Sequence, residues 1–187
     1  MESTQWDQDP SAITSRPSSN GTTPMVTWLD GLASANDNKR VQLFRGAIPT
    51  GDLPAWSNFI SLINTSKLRG ELDLRRKFYM RVPIKDDPDL LKLLTGVAKL
   101  RALLAARLNK TVRVLNAYIN IATEEERWPS HADPEDSLFI QCEGSVTWYL
   151  DDGEYTLQPG DAIYFPGGTM HEVVALTPRA AIILGIG

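Results

Sequence analysis

From Thr111 to its last residue the chain is a succession of short strand-forming runs separated by turn residues, and this pattern restricts the fold more than any other feature. Arg113 to Ile121 alternates, which puts Leu115, Ala117, Ile119 and Ile121 on one face and Asn116, Tyr118 and Asn120 on the other. Ser137–Cys142, Ser145–Leu150, Tyr155–Leu157, Ala162–Phe165, His171–Leu176 and Ala180–Ile186 follow, with Glu143-Gly144 and Gly160-Asp161 among the turns between them. Six or seven closely spaced strands of this kind predict a mainly β fold, a double-sheet jelly roll. The polar ladder of Asn116, Tyr118 and Asn120 predicts that one face of the first strand looks onto solvent or a polar cavity.

The chain before Thr111 is of mixed character. Val41–Gly46 reads as a strand, followed by a turn at Thr50-Gly51-Asp52. Trp56, Phe59, Ile60 and Ile63 then recur at helical spacing after Pro54, and Phe78–Pro83 reads as a second strand. The longest predicted helix starts at Asp87-Pro88-Asp89, where a cap residue, an early proline and an acidic first turn agree, and runs to Leu108. Its broad stripe (Leu90, Leu91, Leu94, Val97, Leu100, Leu103, Leu104, Leu108) serves either to pack on a sheet or to form a homodimer interface. Residues 1–24, rich in Ser, Thr, Asn, Gln and Pro, bury too little to offset the entropy of ordering and are expected to form a flexible arm. The rest is expected to be one domain, with residues 25–110 as a mixed α/β entry region whose helices pack on the outer face of a jelly roll spanning 111–187.

Length and charge agree with that outline. At 187 residues and 42% hydrophobic content the chain is long enough for one sizeable core and short for two. A net charge of -4 disfavours nucleic acid and anionic membrane as main partners, leaving small molecules or proteins. The single cysteine, Cys142, lies in an apolar run and supports neither a disulfide framework nor a cysteine-based zinc site. No apolar stretch is long enough to span a membrane, and the N-terminus lacks a basic segment followed by an apolar one, so a soluble, cytoplasmic protein is expected.

Against this background the two histidines, His131 and His171, stand out. In an extended chain residues i and i+2 share a side, so His131 and Asp133 point the same way and can hold one ion, with His171 joining from a second strand. Two imidazoles and one carboxylate with the remaining positions open form the facial set of non-haem Fe(II) oxygenases, unlike the closed set of a structural zinc site. Gly160-x5-Pro166-x-Gly168-x2-His171 supplies a tight approach into the strand carrying the second histidine.

These segments resemble known motifs. Gly160-x5-Pro166-x-Gly168-x2-His171 is similar to the second conserved motif of the cupin superfamily. His131-x-Asp133-x2-Asp136-x4-Gln141-x2-Gly144-Ser145-x2-Trp148 resembles the metal-binding region of the JmjC-like cupin oxygenases, which include asparaginyl and ribosomal-protein hydroxylases. Val41 to Pro49 with Trp56 is similar to their entry strand. The resemblance implies a double-stranded β-helix and an oxygenase dependent on Fe(II) and 2-oxoglutarate, with His131, Asp133 and His171 as ligands and O2 as co-reactant. Many relatives place Lys or Arg two residues after the glycine matching Gly144, where it pairs with the distal carboxylate of 2-oxoglutarate; here that residue is Val146. Arg179, at the start of the last strand, is the substitute cation, with a plain surface role as the alternative, and Asn116, Tyr118, Asn120 and Trp148 are the expected polar and aromatic partners. Phe139, Gln141 and Trp148 are expected to face into the barrel, Asp161 to cap backbone donors in its turn, and Asp136 and the Glu124–Arg127 run to be solvated loop charges. The implied substrate is a small molecule, amino acid or peptide. The competing readings are a metal-dependent cupin dioxygenase or isomerase that does not use 2-oxoglutarate, which Val146 favours, and a non-catalytic cupin binding module.

Overall fold

The computed structural model describes residues 24–66, 71–73, 79–121 and 126–187. The expected arm therefore lies outside the described residues except for Pro24. Helix α1 (Pro24–Asp37) leads into β1 (Gln42–Phe44), a 3-10 turn (Thr50–Asp52) and α2 (Trp56–Thr65). Strands β2 (Glu71–Asp73) and β3 (Tyr79–Pro83) precede α3 (Pro88–Lys92) and α4 (Thr95–Leu108). The remaining elements are strands β4 (Val112–Asn120), β5 (Glu126–Ala132), β6 (Asp136–Glu143), β7 (Val146–Leu150), β8 (Gly153–Leu157), β9 (Ala162–Phe165), β10 (Met170–Ala175) and β11 (Arg179–Ile186).

These strands form two antiparallel sheets, one ordered β1-β9-β6-β11-β4-β3-β2 and the other β5-β10-β7-β8. Period-two alternation gives the larger sheet two different faces. Its outer face buries Val82, Val114, Ala117, Ile140 and Ile182 against Leu32, Phe59, Leu62, Leu94, Val97 and Leu104 of the helical layer. Its inner face presents Phe139, Ile163, Phe165 and Ile183 to Val146, Trp148, Leu157 and Val173 of the smaller sheet. The jelly roll and the outer helical layer are as expected, and the α3–α4 stripe is used inside the chain, packed on β4 and its neighbours.

Four details differ from the sequence reading. Helix α1 had no predicted counterpart. The single helix expected from Asp87 to Leu108 is two, because the backbone leaves the helical region at Leu94 (φ -123°, ψ 49°), a residue that is itself buried. The break lets Gly96 lie against the Asp52 carbonyl, closer than any Cβ would allow. Alternation along β4 is interrupted where its register with β11 shifts between Ile183 and Leu184. Leu115 consequently packs with Tyr118 in the barrel interior instead of with Ala117, and Ile121, beyond the strand, is 53% exposed. Finally, Glu126 and Arg127 begin a strand, β5, where a charged loop was expected, while residues 124 and 125 of that run lie outside the described ones.

Candidate metal centre

His131 and His171 are direct cross-strand partners on β5 and β10, which puts both rings on one face of the smaller sheet, 4.3 Å apart between centroids. Asp133 sits just past the end of β5, not on the same strand as expected, yet on the same side as His131. One potential ligand atom from each of the three residues can be chosen so that all lie within 4.8 Å of one another, and the His171 Nε2 to Asp133 Oδ2 distance is 3.8 Å. Both imidazoles are oriented alike. The Nδ1 of His131 is 2.9 Å from the carbonyl of Pro129, and the Nδ1 of His171 is 3.0 Å from that of Thr169. A carbonyl oxygen only accepts, so each Nδ1 carries the proton and each Nε2 keeps its lone pair for a ligand. The Pro129 carbonyl is available because β5 bulges there: its register against β10 shifts between His171 and Val173.

The surroundings fix this arrangement. The His171 ring is enclosed by Trp148 and Phe165 at 5.1 and 4.9 Å, and only 2% of the residue is exposed. Burial pushes its pKa below the ordinary histidine value, a shift that the Thr169 carbonyl opposes, the neighbouring His131 reinforces and Asp133 opposes. His171 is thus neutral at neutral pH and ready to bind a cation. The turn before β10 is tied to both ends of the site: Gly168 donates its N–H to the Asp133 carbonyl at 2.8 Å, and Gly167 lies so close to the Pro134 carbonyl that a Cβ would sit 2.5 Å from it.

Asp136, expected to be a solvated charge, holds that turn in place. Its Oδ1 accepts from the Gly167 N–H at 3.0 Å, and its Oδ2 accepts from Asn36, Lys39 and the Tyr164 hydroxyl at 2.8, 2.5 and 3.0 Å. Burial opposes the charge of Asp136, but Lys39, the Gly167 N–H and the Tyr164 hydroxyl together hold its carboxyl below the ordinary value. The fully buried Asn36 also accepts from Lys110 at 2.5 Å. Through Asp136 the end of α1 is therefore wired to the segment between two of the potential ligands. Asp161 does cap backbone donors, accepting from Gly46 and Gln158 and pairing with Arg45.

The three potential ligands open onto a cavity of about 420 Å³ between the sheets. Of the residues proposed to bind a cosubstrate, Tyr118, Trp148 and Arg179 line it. Asn116 and Asn120 are not in its wall; Asn116 hydrogen-bonds Tyr118, and Asn120 is 1% exposed in register with Arg179. Arg179 is no surface residue: it is 3% exposed, with its guanidinium 5.0 Å from the Trp128 ring and 5.9 Å from that of Phe139. Gln141 is fully buried and donates to the backbone carbonyls of Glu143 and Gly144, and Cys142 is a buried core residue. The sequence reading missed Tyr79 and Arg81, which enter the wall from β3. Their signal was the alternation of Tyr79, Arg81 and Pro83 against Met80 and Val82.

The donor set suits a divalent cation: two imidazoles and one carboxylate leave room for further oxygen ligands. The cavity suits a dicarboxylate, since it adds a buried cation and the indole N–H of Trp148, which is buried without a hydrogen-bond partner among the described residues. None of the helices among the described residues is long and apolar enough to cross a membrane.

Comparison with known proteins agrees with the fold. No curated protein matches the sequence. Among solved structures, YcfD, a ribosomal oxygenase from Escherichia coli in complex with cobalt and 2-oxoglutarate, superimposes over 86% of this chain and 51% of its own (TM-score 0.62, 15% identity), so this chain spans about half of YcfD. A Pseudomonas putida prolyl-4-hydroxylase superimposes over 84% of this chain and 97% of its own (TM-score 0.60, 12% identity). Residues 117–187 match the family model of the cupin domain. That match over the barrel strands, and that fold over most of the length, show a cupin-type jelly roll.

Proposed function

We propose that this chain is a cupin-type oxygenase dependent on Fe(II) and 2-oxoglutarate, cytoplasmic, that hydroxylates a small molecule, amino acid or peptide. The observation that carries the proposal is the pairing of an open His131/Asp133/His171 set with a buried cation, Arg179, in one cavity. Iron and 2-oxoglutarate, when bound, would supply oxidation of a substrate C–H bond by O2, with succinate and CO2 as companion products. The chain's own residues bind and orient. His131 and His171 give nitrogen donors whose tautomers are set by backbone carbonyls, and Asp133 gives the anionic donor. Arg179 neutralises the distal carboxylate, in a place where Trp128 and Phe139 exclude water and strengthen the pairing. Tyr118 and Trp148 add hydrogen-bond donors from opposite sheets.

One observation favours a second reading. Val146 is fully buried among apolar side chains, so the position that carries a cation in many relatives has none. A metal-dependent cupin dioxygenase or isomerase without 2-oxoglutarate would have that character. Anaerobic addition of Fe(II) and 2-oxoglutarate separates the two. A weak visible charge-transfer band, followed by succinate once air is admitted, supports the oxygenase; neither signal from a metal-loaded protein supports the second reading. A protein that takes up no metal, and whose His131→Ala and Asp133→Ala variants bind ligand normally, would instead be a binding module.

A further inference from the structure

The helical layer on the outer side of the seven-stranded sheet encloses a second cavity, of about 320 Å³. It shares no lining residue with the cavity of the three potential ligands. Its wall comes from α1, the segment after β1, α2 and the start of α4, and is apolar over Trp28, Ile48, Leu53, Pro54, Leu100 and Leu103. Two polar features interrupt that wall.

The first is the positive end of α4. Thr95 and Gly96, its opening residues, line the cavity, yet its N-cap, Leu94, supplies no side-chain hydrogen bond and its first turn carries no acid. The preceding α3, by contrast, is capped by the Asp87 carboxylate and has Asp89 in its first turn. A helix start in that condition favours an anion, and Lys99, one turn on from Thr95 in the same wall, adds a full positive charge. Of the cations on α3 and α4, Lys92, Arg101 and Arg107 each pair with an aspartate, whereas Lys99 has no ion pair among the described residues. Asp52, the acid in that wall, is exposed and does not pair with it.

The second is the indole N–H of Trp28, which reaches the wall from α1. The residue is only 8% exposed, and its N–H is buried with no hydrogen-bond partner among the described residues. A buried donor without an acceptor is costly, and an oxygen brought into the cavity would relieve that cost.

We infer that this outer cavity binds a small organic acid, with its carboxylate at the start of α4 beside Lys99, its apolar body against Leu53, Pro54 and Leu100, and a neutral oxygen accepting from Trp28. A single negative charge fits, because Asp52 in the same wall opposes a second. The cavity lies at the lower end of the size range of small-molecule sites, so the body is one ring or its equivalent.

The test is calorimetric titration of the metal-free full chain with benzoate, 4-acetylbenzoate and 4-isopropylbenzoate, each against its neutral amide, with phenyl phosphate as a further arm. The acetyl compound should bind about ten-fold or more tightly than its amide. It should also bind about three-fold or more tightly than the isopropyl compound, which has the same shape without the ketone oxygen. Lys99→Gln, at an exposed position, should lower the preference for acid over amide about three-fold or more. Trp28→Phe, which keeps a ring, should abolish the preference for acetyl over isopropyl. Arg179→Gln, in the other cavity, should change neither. Circular dichroism establishes that each variant is folded, and if Trp28→Phe is not, Lys99→Gln decides alone.

Failure of every acid to bind overturns the inference, as does equal binding of every acid and its amide. Tighter binding of phenyl phosphate than of all the carboxylates overturns it as well. Binding that falls in Arg179→Gln and is indifferent to Lys99→Gln overturns it too, by placing the acid beside the potential metal ligands.

Discussion

The two faces of the seven-stranded sheet are built from the same strands and do opposite things. The outer face is closed: Val82, Val114, Ala117, Ile140 and Ile182 meet an apolar helical layer. The inner face is apolar at one end, around Ile163, Phe165 and Val146, and elsewhere gives way to a cavity whose wall carries two arginines, two tyrosines and, from the facing sheet, two histidines. The outer side stabilises the fold in proportion to the area it removes from water. The inner side forgoes some of that burial, and the closed outer core is what allows it to do so. Substitutions on the two sides should therefore separate stability from metal binding.

The largest separation is expected at the proposed ligands. Asp133→Ala or His131→Ala, at the more exposed of the three positions, should lower metal affinity by more than about 100-fold and leave the melting temperature of metal-free protein nearly unchanged; metal titration and thermal unfolding check the two parts. The opposite pattern is expected from Phe59→Ala, which opens a void in the fully buried helical side. It should cost about 3–5 kcal/mol in denaturant unfolding while the folded fraction binds metal as before.

Asp136→Asn crosses the division, because Asp136 joins α1 to the turn between two proposed ligands. Its expected signature is a loss of about 10- to 100-fold in metal affinity together with modest destabilisation. Acid should also act from the inner side. His171 is held below its ordinary value of 6.5 by burial, so the folded protein takes up fewer protons there than the unfolded chain. Stability of the metal-free protein is then full above that value and declines as pH falls from it toward the lowered one. His171→Gln should flatten that part of the profile. The smallest effect belongs to the exposed pair Arg127–Glu172, where Glu172→Gln should change stability by about 1 kcal/mol or less.

How much of this was legible in the sequence depended on how local each signal was. The barrel strands from Ser137 onward and the approach to His171 announce themselves because alternation and turn chemistry act over a few residues. Strand β5 does not, since Glu-Arg-Trp-Pro-Ser-His-Ala carries no alternation and contains a proline. As the edge of its sheet, bulged at Pro129, it tolerates both. Arg81 and Tyr79 reach the cavity only because β3 pairs beside β4, a juxtaposition of residues nearly forty positions apart that no local pattern encodes. Asp136 was misread for the same reason: its partners Asn36, Lys39 and Tyr164 are distant in sequence. That Val146 offers no cation and that Arg179 is available as a substitute were both read from the sequence, whereas the burial of Arg179 was not.

The most direct test of the central claim, that the inner face joins a metal centre to a carboxylate site, is calorimetric titration of 2-oxoglutarate into the protein with and without Mn(II). One equivalent should bind only when metal is present, and Arg179→Gln should weaken that binding about ten-fold or more. Equal binding without metal, or binding indifferent to Arg179→Gln, would contradict it.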